Sequence, residues 1–344
     1  MRACVYEGES KITVKEVQKP SLPKGGAIVK VIVASICGTD LRTYRFGSDN
    51  LSVPRIIGHE ACCIIEELDE GIKDFKVGDR VMVAPALGCG ECKSCLRGNT
   101  NMCDDLKTIG FQFEGTFAEY CAIPRQAFKM KNVIKIPDNI SDEEVSVVEP
   151  VACALNAQSF LNISKGDNVL IYGAGYLGCI HAELALIKGA NKVMLAEISK
   201  ERRDQAEKDV EGIHVLNSGA DDFIDKVKGL TGRDGVDVVI TACPAGITHK
   251  QALELVYKNG RISLFGGLAG NASGFLDSNL IHYKEVGVFG AHASTPKQNK
   301  EALELVTSKT LNVKKYISSY PLEKITDAFK SLVNETSVKA VIKP

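Results

Sequence analysis

The sequence predicts an α/β protein in which a β-rich domain is combined with a doubly wound parallel sheet. Residues 1 to about 150 contain short runs that alternate or are β-branched, with Gly, Pro and Asp turns between them and no long helical periodicity. From residue 151 onward, strand-like and helix-like runs alternate in the rhythm of a parallel sheet. The pattern changes near Glu149-Pro150, where we expect a domain boundary.

The individual elements follow from the same patterns. In the β-rich part, strands are expected at residues 28–33, 61–66, 80–83 and 117–123, which suits a barrel or a sandwich. In the second part, strands are expected at 169–172, 193–196, 214–216, 236–241, 261–265 and 285–289. Helices are expected from the glycine pattern that ends at Gly178 to about residue 188, and at 200–209, 221–229, 248–258 and 280–283. The tail reads as a helix (297–308), an extended piece (313–320), a helix (322–333) and a strand (338–342), and we expect it to complete the first domain.

Composition restricts the possible functions. The 344 residues are 44% hydrophobic and 25% charged, as in a globular protein with a full core. The net charge of −1 gives no electrostatic reason to expect nucleic acid or an anionic membrane as partner. No apolar run approaches the roughly 18 residues of a membrane span, and the first residues do not resemble a signal peptide, so we expect a cytoplasmic protein.

A glycine-rich loop lies between a buried strand and a helix. Gly173, Gly175 and Gly178 follow the strand at 169–172 in a GxGxxG pattern. In a dinucleotide site these glycines allow a tight turn, close approach of the backbone to the pyrophosphate and close packing of the helix on the sheet. Glu197 ends the next strand, where an acid can reach the adenosine ribose, and this favours NAD over NADP.

Four cysteines are clustered in a short segment of the β-rich part. They occur as Cys89-x2-Cys92-x2-Cys95-x7-Cys103, and four thiolates at such spacing can surround one tetrahedral zinc ion. Such a site has no open position and would be structural. The alternatives are a lobe with two disulfides, an iron–sulfur cluster, and a zinc ribbon that binds nucleic acid. The spacing, the expected compartment and the lack of a basic surface argue against them.

Three further positions are dispersed along the chain: Cys37, His59 with Glu60, and Glu149. Each has an ordinary structural explanation, because free Cys is usually buried, a lone His is usually a core residue, and Glu149 could cap a helix. A catalytic zinc takes about three ligands of mixed type, which can come from distant loops. Spacing alone does not connect these positions.

Together with other motifs, these residues resemble the zinc-dependent medium-chain alcohol/polyol dehydrogenase family. The resemblance covers essentially the whole chain in family order. The matching motifs are Cys37-Gly-Thr-Asp40, Pro54-x3-Gly58-His59-Glu60, Val77-Gly-Asp-Arg-Val81, the four-cysteine lobe, Gly115-Thr-Phe-Ala-Glu-Tyr120, Glu149-Pro150 and Gly173-Ala-Gly-Tyr-Leu-Gly178. The resemblance implies a GroES-like β-barrel catalytic domain (residues 1–150 and 295–344, with the zinc lobe at 89–103) and a Rossmann NAD-binding domain (151–294).

The resemblance also implies site residues. Cys37 and His59 would bind a catalytic zinc, with Glu60 and Glu149 where simpler alcohol dehydrogenases use a second cysteine; either glutamate could bind directly or through water. Thr39 would accept the substrate proton. The residues expected to contact NAD are Gly173, Gly175, Leu177, Gly178, Glu197, Arg202, Phe265 and Phe289. Arg42 occupies a position where many relatives carry a relay histidine, and it could instead bind an anion or remain in solvent. His292 could face the cleft or lie in a loop.

The function implied is hydride transfer between NAD and the secondary alcohol of a polyol or sugar alcohol, which could carry a phosphate. Two alternatives remain open within enzymes, namely oxidation of a hydroxy-amino acid such as L-threonine and oxidation of a small diol such as 2,3-butanediol. A non-catalytic protein that binds zinc and a dinucleotide is a more distant alternative. The expected partner is a small alcohol or ketone, and the resemblance suggests a homodimer or homotetramer.

Overall fold

The computed structural model describes residues 1–268 and 273–344. In chain order the strands are β1 (Arg2–Gly8), β2 (Lys11–Glu16), β3 (Ala27–Ser35), β4 (Arg55–Ile56), β5 (Glu60–Leu68), β6 (Arg80–Val83), β7 (Ala86–Leu87), β8 (Lys107–Thr108), β9 (Tyr120–Ile123), β10 (Val133–Lys135), β11 (Asn168–Tyr172), β12 (Lys192–Glu197), β13 (His214–Asn217), β14 (Val236–Thr241), β15 (Val256–Leu264), β16 (Gly287–Gly290), β17 (Ile317–Pro321) and β18 (Lys339–Lys343). The helices are α1 (Gly38–Phe46), α2 (Lys93–Leu96), α3 (Arg125–Lys129), α4 (Asp142–Ser146), α5 (Val148–Ser159), α6 (Tyr176–Ile187), α7 (Lys200–Asp209), α8 (Phe223–Thr231), α9 (Ile247–Leu255), α10 (Ser278–Lys284), α11 (Pro296–Thr307) and α12 (Ile325–Val333).

The chain divides into two compact units. One unit contains Met1–Ala152 and Ala293–Pro344, and the other contains Cys153–His292. Among the described residues, none of the helices combines the length and apolar character needed to cross a membrane.

The first unit is built on β-sheets. Its main sheet has the order β10-β6-β5-β3-β18-β17, with β9 also paired to β3, and a smaller sheet has the order β2-β1-β4. Ser35 of β3 is paired with Glu60 of β5 on one side and with Val341 of β18 on the other. The last strand of the chain therefore lies beside the strand that ends just before Cys37.

The second unit is a parallel sheet of six strands in the order β13-β12-β11-β14-β15-β16. Its central strands are buried on both faces, as in β11, where all five residues are buried. The strand order reverses between β11 and β14, and ligands of doubly wound sheets bind at the carboxyl ends of the strands at such a point. The predicted combination of a β-rich domain with a doubly wound parallel sheet is confirmed.

Two of the differences from the predicted elements have a clear physical reason. Helix α1 lies in the β-rich part, where no helix of this length was expected; its nine residues are too few to show a clear apolar period. The helix predicted at 248–258 ends at Leu255, and its last three residues belong to β15. Lys284 Nζ donates to the carbonyl oxygens of Leu253, Glu254 and Val256 at 2.9, 3.0 and 3.0 Å, so a distant residue caps the end of this helix.

Candidate active site

Three potential metal ligands of different chemical type meet in the first unit. Cys37 follows β3 and is the N-cap residue of α1, whereas His59 and Glu60 lie where β5 begins. One ligand atom from each of the three lies within 4.8 Å of the others, and His59 and Glu60 are buried. A thiolate, an imidazole and a carboxylate in this arrangement fit a zinc ion with a further open position.

The buried carboxylate of Asp40 lies next to two of these three ligands, Cys37 and His59. The Asp40 side chain is 1% exposed, and its Oδ2 accepts a hydrogen bond from the backbone N–H of Cys37 at 2.9 Å. Its Oδ1 lies 3.6 Å from Nδ1 of His59. Metal-binding histidines commonly turn their other ring nitrogen toward a carboxylate, which fixes the tautomer and the ring orientation. At 3.6 Å the contact with Asp40 is electrostatic, because His59 Nδ1 forms no hydrogen bond with any described residue.

Glu60 is held by Lys339 and Ser35. Lys339 Nζ lies 2.6 Å from Glu60 Oε2 and donates to the carbonyl oxygen of Ile36 at 2.9 Å. The Ser35 hydroxyl donates to the same carboxylate oxygen of Glu60 and also contacts the carbonyl oxygen of Ser146 at 2.9 Å. The other oxygen, Glu60 Oε1, is buried and has no hydrogen-bond partner among the described residues. One oxygen of Glu60 is thus anchored and the other remains available to a cation.

The electrostatics of the cluster favour a bound cation. Burial, and then the negative charge of Glu60, raise the pKa of the Cys37 thiol. Burial alone would lower the pKa of His59, but the neighbouring Asp40 and Cys37 outweigh it and raise that pKa well above its usual value. The raised pKa of His59 reflects the negative groups around it, whereas that of Cys37 reflects mainly its burial; a divalent cation bound here would release the protons from both.

Four other predicted residues have the following positions in their own units. Thr39 is half-buried in the first turn of α1, and Arg42 is exposed on the same helix. Glu149 is buried inside the first turn of α5, so it does not act as an N-cap. Among the described residues, the mixed group of ligand atoms that all lie within 4.8 Å of one another consists of Cys37, His59 and Glu60. His292 is exposed and follows β16, where its carbonyl oxygen accepts a hydrogen bond from Asn156 at 3.3 Å.

The four-cysteine lobe forms a second group of ligands. Sulfur atoms of Cys89, Cys92, Cys95 and Cys103 lie within 4.8 Å of one another, and none of these cysteines forms a disulfide. Backbone N–H groups point at the sulfurs, for example Cys89 N to Cys103 Sγ at 3.1 Å and Cys92 N to Cys89 Sγ at 3.3 Å. Backbone hydrogen bonds from Cys95 and Asp104 lower the pKa of Cys92 to about 6. Burial raises the pKa of Cys95 to about 12 and also raises that of Cys103, so a bound cation would be needed to hold these two as thiolates. Four cysteine ligands around one point fit a structural zinc.

In the second unit, the glycine loop has the geometry of a dinucleotide site. Gly173 has φ of +101°, which favours glycine, and a Cβ on Gly178 would lie 1.8 Å from the carbonyl oxygen of Gly173. A Cβ on Gly175, the N-cap of α6, would meet nothing within 4 Å, so space is open where a pyrophosphate would approach the helix N-terminus. Gly173 therefore fits the tight turn, Gly175 the close approach of a pyrophosphate, and Gly178 the close packing of the helix on the sheet.

Glu197 ends β12 beside this loop. Its Oε2 accepts a hydrogen bond from Ala174 N at 2.9 Å, and its Oε1 accepts from Ile198 N and Ser199 N at 2.7 and 3.1 Å. Arg202 Nη1 lies 3.9 Å from Oε2 of the same carboxylate. Glu197 is thus fixed against the glycine loop by three backbone donors, with an arginine at its side.

The other predicted dinucleotide residues have different surroundings. Leu177 is half-buried at the start of α6. Phe265 is half-buried just after β15 and contacts the ring of His181 with centroids 4.6 Å apart. Phe289 of β16 stacks on Phe160, with centroids 6.0 Å apart and ring planes at 14°. The contact of Phe289 is therefore with the end of α5.

Three residues of the first site were absent from the sequence prediction of ligands and catalytic groups: Asp40, Ser35 and Lys339. Asp40 had a signal, because it lies three residues after Cys37 at the start of a helix. Lys339 also had one, since it is the only charged residue in the apolar run 338–342 and is 4% exposed. A buried lysine in such a strand requires an acidic partner. Nothing in the sequence identified Glu60 as that partner.

Comparisons with known proteins agree with the geometry of both units. The family described as "Alcohol dehydrogenase GroES-like domain" matches residues 23–138, and "Zinc-binding dehydrogenase" matches residues 177–308. L-threonine 3-dehydrogenase of Pyrococcus abyssi is 36% identical over 80% of this chain and 78% of its own. Sorbitol dehydrogenase of Halalkalibacterium halodurans is 29% identical over 100% and 99%. A zinc-binding dehydrogenase of Sinorhizobium meliloti, solved with bound NADP, superposes with a TM-score of 0.91 at 29% identity, covering 100% of this chain and 99% of that one.

Proposed function

Because this chain belongs to the zinc-dependent medium-chain alcohol dehydrogenase family, we propose that it oxidises the secondary alcohol of a polyol or sugar alcohol with NAD as hydride acceptor. Membership of the family makes it an oxidoreductase that uses zinc and NAD(P). The substrate class, the preference for NAD and the roles of individual residues are the content of the proposal.

The observation that carries the proposal is the mixed set formed by Cys37, His59 and Glu60. It offers one sulfur, one nitrogen and one oxygen ligand around a single point, and it leaves a coordination position for substrate. A structural site would be closed by four protein ligands, as in the cysteine lobe. When bound, zinc supplies a Lewis acid that lowers the pKa of the alcohol, and NAD accepts the hydride.

The side chains around the set have separate tasks in this proposal. Cys37, His59 and Glu60 hold the ion, and Asp40 keeps the His59 ring in one orientation through its contact with Nδ1. Thr39, two residues after Cys37 in the first turn of α1, receives the proton of the substrate hydroxyl. Glu149, buried in the first turn of α5, contributes to the site without being one of the three grouped ligands.

The preference for NAD is argued from Glu197. Three backbone donors fix its carboxylate beside the glycine loop, so it cannot easily turn away from a nearby ribose. A carboxylate there accepts hydrogen bonds from the 2′- and 3′-hydroxyls of NAD and repels the 2′-phosphate of NADP. One relative was solved with NADP, so this preference needs its own measurement.

Oxidation of L-threonine is the second candidate. It is favoured by the archaeal relative named L-threonine 3-dehydrogenase, whose 36% identity exceeds the 29% of the sorbitol dehydrogenase. Both reactions oxidise a secondary alcohol beside a further polar group, and the Cys37, His59 and Glu60 set would serve either.

A substrate panel separates the candidates. The zinc-loaded protein is offered sorbitol and other polyols, their phosphates, 2,3-butanediol and L-threonine with NAD or NADP, and the absorbance of the reduced nicotinamide is followed. We expect reduction of NAD with a polyol and a lower rate with NADP. Reduction only with L-threonine would establish the second candidate, and no reduction with any alcohol would refute both.

A pair of histidine variants tests the zinc site itself. His59→Ala is expected to lose one bound zinc and the activity, because one of three grouped ligands is removed. His282→Ala is the matched control, since His282 is exposed on α10 in the other unit. If His59→Ala kept the full zinc content, the assignment of the catalytic ion would be wrong. A wild-type protein that binds zinc and NAD without oxidising any alcohol would instead be a non-catalytic binder.

A further inference from the structure

Two fully buried polar side chains contact each other in the second unit. They are Gln158 of α5 and His181 of α6, each with 0% exposure. The His181 ring in turn contacts the ring of Phe265, the residue that follows β15. These contacts join two helices to the carboxyl end of β15.

The imidazole of His181 is placed by contacts on two sides. Gln158 Nε2 donates to the carbonyl oxygen of His181 at 2.9 Å and lies 3.3 Å from its Nδ1. The His181 ring meets the Phe265 ring nearly at right angles, with the planes at 83° and the centroids 4.6 Å apart. Edge-to-face contacts of this kind are a preferred geometry of aromatic rings. Burial lowers the pKa of His181 to about 3, so the ring is neutral in ordinary buffers.

Packing alone does not account for a histidine at this position. His181 Nε2 is buried and makes no hydrogen bond with any residue that the structure describes, and the same holds for Oε1 of Gln158. A buried polar atom without a partner is destabilising, and an apolar side chain would fill the same space without that penalty. The His181 ring instead contacts the ring of Phe265, and the function of the imidazole follows from that contact.

The residue after Phe265 packs against Cys243, as does the first glycine of the glycine loop. A Cβ on Gly266, which follows Phe265, would come within 2.6 Å of the carbonyl oxygen of Cys243, and a Cβ on Gly173 would come within 3.2 Å of the Cys243 side chain. The carboxyl ends of β11, β14 and β15 thus converge here. The acid at the end of β12 marks the adenosine half of a dinucleotide site, so β14 and β15 belong to the nicotinamide half.

We propose that His181 is a positioning residue which fixes the ring of Phe265 as part of the wall that receives the nicotinamide half of the dinucleotide. The proposal rests on the proposed function, because it requires NAD to bind at this loop. It assigns to His181 no proton transfer and no direct contact with substrate. His181 acts only by holding the ring of Phe265 in place.

The test compares two ligands that differ only in the nicotinamide half. Binding of NADH and of ADP-ribose to the zinc-loaded protein is measured by calorimetry for wild type and for His181→Leu. An aromatic contact of this type corresponds to roughly a two- to twelvefold change in affinity, and we expect a loss of that size for NADH with ADP-ribose unchanged. Equal weakening of both ligands, or no weakening of NADH, would overturn the positioning role.

Two further variants protect the test against a general loss of folding. His181→Phe keeps an aromatic ring against Phe265 and is expected to retain the affinity for NADH. Phe265→Leu removes the other ring, and the double variant with His181→Leu should lose no more affinity than either single one. Additive losses in the double variant would contradict the coupling. If the wild type bound neither NADH nor ADP-ribose, the dinucleotide site itself would be refuted. If the wild type bound both ligands and His181→Leu left both affinities unchanged, only the positioning role would be refuted.

Discussion

Replacing Lys339 by methionine tests the buried ion pair that anchors Glu60. The Lys339 and Glu60 side chains are 5% and 0% exposed, and their charged atoms lie 2.6 Å apart. Methionine preserves most of the apolar stem of lysine, so the change removes the charge and the hydrogen bonds with little change of packing. The expected loss of stability is therefore electrostatic.

The magnitude follows from the geometry. Removing one partner of a buried ion pair costs about 3–5 kcal/mol, because the other charge is left without compensation. The carbonyl oxygen of Ile36 also loses its donor at 2.9 Å, which adds about 1 kcal/mol. A bound zinc compensates part of the charge on Glu60, so we expect the lower end of this range in the zinc-loaded protein and the upper end after chelation.

The assay is urea unfolding followed by circular dichroism, since the chain has no Trp to report on unfolding. Lys343→Met is a matched control on the same strand, because Lys343 lies 2.6 Å from Glu143 but its side chain is 49% exposed. A surface pair contributes about 0–1 kcal/mol. If Lys339→Met destabilised the protein no more than Lys343→Met, the buried pair would not hold Glu60 as we argue. Adding Glu60→Gln to Lys339→Met should recover much of the loss.

Three other predictions concern the remaining sites. Cys92→Ser should lose the zinc of the cysteine lobe and lower the unfolding midpoint, whereas Ser94→Ala in the same lobe should change neither; unchanged zinc content measured by mass spectrometry would remove the structural-site assignment. Glu197→Gln should raise the ratio of kcat/KM for NADP to that for NAD by at least about tenfold, because the charge that repels the 2′-phosphate is gone; a ratio equal to that of wild type would refute this role. In the folded protein the pKa of His181 is depressed to about 3. The stability associated with its neutral ring is therefore fully present at a pH above the pKa of histidine in the unfolded chain, and it declines as the pH falls below that pKa. Between pH 7.5 and 5.5 the wild type should therefore lose about 1 kcal/mol more unfolding free energy than His181→Leu does, and parallel curves for the two would contradict the neutral buried ring.

Features that depend on neighbouring residues in the chain could be predicted from the sequence. The glycine loop, the strand before it and the acid after the next strand form one continuous segment, and the four cysteines lie within fifteen positions of one another. In both cases the local spacing restricts what the backbone can do. The end of α9 could not be predicted, because the lysine that caps it lies about thirty positions further along the chain.

The sequence by itself determined that this chain combines a β-rich domain with a parallel sheet, that one loop suits a dinucleotide and that one lobe suits a metal. It also marked Cys37, His59 and Glu60 as possible ligands through resemblance to a family. Only the tertiary structure decided that these three meet, and that Lys339 from the last strand anchors Glu60. The physical reason is that β3, β5 and β18 are far apart in the chain and adjacent in the sheet, and only sheet pairing brings their ends to one point.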